Sequence, residues 1–118
     1  MALDFAPGDD LVFQVESGFG LMRVLAFEGE GRERVWHILV CYDFYPDVES
    51  AEAALATGRT LAAREPHIAL TEHAFEKTPA ARLMNHPVRD DELEALRRWR
   101  QEGGTVHDRS VLLLIGMR

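Results

Sequence analysis

Residues 34–47, RVWHILVCYDFYPD, hold the single cysteine of the chain, Cys41, four residues after His37 and just ahead of a run of aromatic and acidic side chains. A thiol with an imidazole is the raw material of nucleophilic catalysis, provided the base comes within hydrogen-bond reach, ~3.2 Å, of the sulfur. On a β-strand, residues four apart share a face but stand about 13 Å apart at ~3.3 Å per residue. His37 and Cys41 therefore form no dyad unless the strand is broken or strongly bulged. Cys41 reads instead as a small buried hydrophobe beside Val35 and Leu39. Four more histidines, His67, His73, His86 and His107, are geometrically open partners, and no feature of the sequence selects one.

Five histidines also raise metal binding, yet none has ligand spacing: there is no HxH, no HExxH and no second cysteine. His67 and His73 on one strand would stand about 20 Å apart at ~3.3 Å per residue. The expectation is no metal and no cofactor. The glycines of GFG and GEG lie in turns between strands, without the helix N-terminus and lysine of a phosphate cradle. Carboxylates occur in pairs at Asp9 and Asp10, Asp43 and Asp47, and Asp90 and Asp91. The last pair is read as a helix start, complemented by RRWR at the other end, with Glu94 placed to pair with Arg98.

Positioning these groups requires an ordered set of elements. After APGDD, residues 11–15 alternate as a strand, and ESGFG supplies a hairpin turn in which Gly18 can take a positive φ. Residues 19–27 return as a second strand, EGEGRE turns again, and residues 34–42 form a third, making an antiparallel meander. The period then changes to about 3.6 over residues 50–63, where Ala51, Ala54, Leu55, Gly58, Leu61 and Ala62 share a stripe, with Asp47 or Ser50 as N-cap and Pro66 marking the end. Residues 67–76 read as a fourth strand, followed by a loop or short helical turn through TPAARLMNHP. A second helix opens at Asp91, with Glu94 completing a capping box, carries Leu93, Leu96 and Trp99 on its apolar stripe, and stops at Gly103 and Gly104. The tail SVLLLIGMR is expected to be a buried final strand.

At 118 residues the chain has the length of one domain, and no repeat, linker or low-complexity tract divides it. The run 111–115 is far too short to cross a bilayer, for which ~20 apolar residues are needed. The first ten residues lack the basic and apolar regions of a signal peptide, and one cysteine forms no internal disulfide, so a cytoplasmic location is expected. A formal charge of −7 works against phosphate backbones, so no nucleic-acid partner is expected, and it favours a basic partner.

The segment YDFYPD, residues 42–47, brings three aromatics and two aspartates out of the third strand together. Rings and fixed charges at a loop are what a protein-binding surface uses for anchoring and selectivity. Asp43, Phe44, Tyr45 and Asp47 are accordingly the candidate partner-binding residues, with the alternative that one or two of the rings fold under the first helix as core.

The stretch PGDDLVFQVESGFGLMRVLAF, with its Gly-Asp turn, glycine hairpin and the Arg23–Val24 pair, resembles the opening of bacterial immunity-protein family twenty-six and its uncharacterised relatives. PVRDDELEALRRWRQEGG is similar to the proline, acidic helix start, tryptophan and paired glycines near the end of some such bacterial proteins. Together these cover about half of the chain. The resemblance implies a small α+β protein with a strongly curved, SH3-like sheet of about five strands and two helices, and a role in neutralising a toxin. It carries over no binding residue. The reading is thus a non-enzymatic protein-binding module, an immunity-type inhibitor of a basic partner. The alternatives are a small hydrolase or transferase using Cys41 or a histidine, and a structural homodimer pairing through an open sheet edge.

Overall fold

Strands in the first third of the chain are nearly continuously apolar, and the reason is that both faces of the sheet they build are covered. The computed structural model describes residues 4–117 and is α+β. The strands are β1 (Asp9–Val15), β2 (Gly18–Glu28), β3 (Val35–Tyr45), β4 (Ala63–Thr71) and β5 (Ala80–Asn85), and the helices are α1 (Val48–Ala56), α2 (Glu72–Glu76), α3 (Glu94–Gln101) and α4 (Val111–Leu114). All strand pairs are antiparallel, in the order β4-β3-β2-β1-β5. The sheet does not close, and β4 and β5 are its edges. Met1 to Leu3 of the first ten residues and Arg118 of the tail lie outside the described residues.

On one face Leu11, Phe13, Met22, Val24, Trp36, Ile38, Val40 and Leu70 pack against Ala74 and Phe75 of α2 and Val111 of α4. Burial of each large side chain contributes on the order of 2 kcal/mol. Glu72 fastens α2 to this face: it is 1% exposed, accepts from Trp36 Nε1 at 2.6 Å and pairs with Arg34 at 2.9 Å, whose guanidinium lies over the Trp36 ring. The opposite face carries Val12, Leu21 and Cys41 under Ala51 and Leu55 of α1, and α3 lies beside them.

Several elements differ from the sequence reading. The first helix ends at Ala56, because Gly58 takes a φ of +72° and its N–H closes back on the Leu55 carbonyl. Leu61 packs on the second face from the following loop, and Pro66 sits within β4, at a sheet edge where a missing N–H is tolerated. Asp47 is the N-cap of α1, accepting the Ser50 N–H at 2.7 Å. Strand β4 begins earlier and stops at Thr71, which caps α2 through the Ala74 N–H. Residues 80–85, expected as loop or helical turn, are an edge strand held by β1. The tail is no strand: Ser110 caps a single turn, Val111–Leu114, and Gly116 at φ +78° ends it.

At the third helix the reciprocal bond joins the Arg89 N–H to Glu92 at 2.8 Å, not Asp91 to Glu94, and a 3-10 turn, Asp90–Leu93, leads into α3. Its arginines pair outward, Arg97 with Asp90 and Arg100 with Glu28 of β2. No Glu94–Arg98 pair forms among the described residues. Gly18 is required for a different reason than expected. Its φ is not positive, but a Cβ there would lie 2.4 Å from the Tyr45 carbonyl oxygen, so the β1–β2 turn presses on the end of β3.

Candidate functional site

His37 and Cys41 do share a face of β3, and each is engaged elsewhere. His37 is fully buried, with Nε2 3.0 Å from Glu28 and Nδ1 2.8 Å from His67 of β4. Cys41 is 7% exposed among the apolar residues of the second face. Burial pushes its thiol up to about 12, and Asp10 adds to that effect. At neutral pH it is a protonated hydrophobe and no nucleophile.

The segment expected as a loop continues β3 to Tyr45, so its side chains alternate between faces. Phe44 is half-buried against the first face and Tyr45 against the second, while Asp43 is exposed. Asp47 is exposed too, with its carboxylate used as a helix cap and held below the usual range by the Ser50 hydrogen bonds. The structure therefore does not bring the four together as one patch. What it does assemble is an acidic end. The β1–β2 turn with Glu16 abuts Tyr45, and α1 follows immediately with Glu49 and Glu52. Glu16, Asp43, Glu49 and Glu52 are exposed, and among the described residues none forms an ion pair. Tyr42 of the same strand end is 56% exposed, with the Arg64 guanidinium 4.7 Å from its ring centroid and 5.0 Å from that of Phe44.

Sequence reasoning missed a second constellation on the α1 side of the sheet. Arg23, in the middle of β2, is 8% exposed yet bonded throughout: Nη1 donates to the Gly8 carbonyl and Asp10, Nε to Glu92 at 2.6 Å, and Nη2 to the His86 and Pro87 carbonyls. Burial works against the charges of Arg23 and Glu92, but their hydrogen bonds and mutual attraction outweigh it, so Arg23 is raised and Glu92 lowered. The second oxygen of Asp10 meets Nδ1 of the half-exposed His86 at 2.7 Å. This network is one wall of a groove of about 530 Å³ whose floor includes Leu39, Cys41 and Leu55. The one available signal was a charged residue at the centre of the apolar run GLMRVLAF, which only a buried counter-charge makes tolerable.

The His37–His67 pair is a third grouping. The rings stack at 5.1 Å, and the edge of Trp99 from α3 covers both. No group of three or more His, Cys, Asp or Glu suited to hold a metal occurs among the described residues. Nor is any helix there long and apolar enough to cross a membrane.

Comparison of the chain with protein-family models, with curated proteins and with solved structures finds no match.

Proposed function

We propose that this protein is a non-enzymatic binding module that blocks a basic protein partner, as an immunity-type inhibitor blocks a toxin, and that it does so in the cytoplasm. The observation that carries the reading is the acidic end: four exposed and unpaired carboxylates, Glu16, Asp43, Glu49 and Glu52, on the β1–β2 turn, the end of β3 and α1. Blocking by occlusion needs shape and charge complementarity and no reacting group, and an aromatic with a neighbouring arginine is a common energetic centre of such surfaces. The β3 extension and the α1 cap hold this end on rigid elements, which reduces the ordering cost of association. An SH3-like, strongly curved form of the sheet, as in the resembled immunity family, belongs to the same proposal.

Capture from a lysate of the source organism tests it, with the wild-type chain beside a variant carrying Glu16→Gln, Asp43→Asn, Glu49→Gln and Glu52→Gln. A stoichiometric basic partner that is lost in the variant and at high salt is the expected result. A partner retained equally by the variant, or none at either salt, overturns the proposal.

One observation favours a second reading, a hydrolase or transferase using a histidine. His86 has its Nδ1 on the Asp10 carboxylate, the relation of a general base to its orienting acid, and the residue is part of the groove lining. Turnover of small esters that disappears in His86→Gln, with a bell or step in its pH profile, would establish that reading.

A further inference from the structure

The groove beside Arg23 is a ready-made cavity whose walls are independently fixed. Its volume of about 530 Å³ lies within the ~300–1,000 Å³ typical of small-molecule sites. Collapse onto the floor is blocked on both sides. One wall is the connection after α1, which Gly58 at φ +72° turns out of the helix. The other is the segment from His86 to α3, which Arg23 pins through two carbonyls and the Glu92 carboxylate.

The charges around the groove separate into engaged and free. Asp10 and Glu92 are held by Arg23, and Asp91 by Arg89. Arg59 and Arg98 also line the groove, and neither guanidinium has an ion pair or side-chain hydrogen bond among the described residues. Glu94 is the one lining acid likewise unpaired. Two free cations thus face one free anion over an apolar floor, in a chain whose formal charge is −7. Asp10, Asp91, Glu92 and Glu94 balance Arg23, Arg59, Arg89 and Arg98 in formal charge, so the attraction for an anion comes from the unpaired forks of Arg59 and Arg98 at contact range rather than from a net field of the groove. Guanidinium forks suit a planar carboxylate, and Leu39, Cys41 and Leu55 suit an alkyl or aryl body.

We propose that the groove between α1 and α3 is a binding site for a small carboxylate with an apolar body, its head held by Arg59 and Arg98 and its body lying on Leu39 and Leu55. The site is separate from the acidic end and does not depend on it.

Calorimetric titration with octanoate, and with octan-1-ol as the same body without the head, tests the assignment, with amide chemical shifts locating the ligand. The expected result is octanoate bound at least about tenfold tighter than octan-1-ol, with shifts at residues 39–41, 55–61 and 94–98. In the Arg59→Gln, Arg98→Gln double variant, octanoate affinity falls to that of the alcohol while the melting temperature is unchanged. Glu94→Gln tightens octanoate a few-fold. Absence of octanoate binding at millimolar concentration, equal binding of the alcohol, or an indifferent double variant overturns the proposal. The fourfold variant of the acidic end binds octanoate as the wild type does, so this site and the partner surface fail or succeed separately.

Discussion

Nδ1 of His37 stands 2.8 Å from Nε2 of His67, so a single hydrogen joins the two rings. On its other side His37 faces Glu28, whose ionised carboxylate only accepts, so Nε2 of His37 carries a hydrogen and Nδ1 accepts from His67. Burial, followed by the fields of His37 and Arg100, brings His67 down to about 4 from 6.5. Glu28 is lowered chiefly by its His37 hydrogen bond, with Arg100 adding to the effect.

Stability should therefore fall on acidification. Between pH 6.5 and about 4 the unfolded chain protonates His67 and the folded chain does not, so the unfolded state binds more protons there. The contribution is fully present above pH 6.5 and lost as pH falls towards 4. Since His67 is only half-buried, screening leaves it on the order of 1 kcal/mol, or about 4 °C in Tm. Thermal melts from pH 7.5 to 4.5 check this, and His67→Gln is expected to flatten the dependence by that amount.

Replacing Arg23 should be among the most damaging single changes. Arg23→Met leaves Asp10 and Glu92 buried and without their cation, and frees the segment that starts α3. The expected cost is about 3–5 kcal/mol in urea unfolding. Adding Asp10→Asn and Glu92→Gln should recover part of it, because no uncompensated charge is then buried.

Cys41 should resist modification. With the thiol raised to about 12 and packed under α1, iodoacetamide at pH 8 should alkylate the native protein far more slowly than the urea-unfolded chain. Cys41→Ala should cost about 1 kcal/mol in urea unfolding. Fast alkylation of the folded protein would show an activated thiol and favour the enzymatic reading.

Gly18→Ala should destabilise by about 1–3 kcal/mol, since the added methyl meets the Tyr45 carbonyl oxygen. Gly31→Ala, in open space at φ +56°, tests backbone strain alone and should cost about 1–2 kcal/mol. Because the Gly18 contact sets the turn against β3, its variant should also shift the amide signals of Asp43 and Tyr45.

Local signals were enough to find β1, β2, β3 and the helix ending at Gly103, because alternation, turn glycines and caps act over a few residues. They failed where pairing decides. Residues 80–85, AARLMN, are half-exposed and mixed in type, and become a strand only because the outer side of β1 is open to them. VLLLI has strand-like composition, but a serine cap before it and a positive-φ glycine after it leave room for one helical turn. The α1 stripe continued past Ala56 in composition, and the Gly58 backbone ended the helix regardless.

The sequence by itself determined the acidic charge, the three-stranded opening and the separation of His37 from Cys41, since each follows from composition or from spacing along one element, while it left the first helix cap open between Asp47 and Ser50. Only the tertiary structure decided which charges are neutralised. Asp10, Arg23, His86 and Glu92 are joined by hydrogen bonds that span as many as 76 residues, and His37 and His67 by one that spans 30. Sheet order and register create those neighbours, and the burial that follows determines which of the chain's many carboxylates and arginines stay free to meet a ligand.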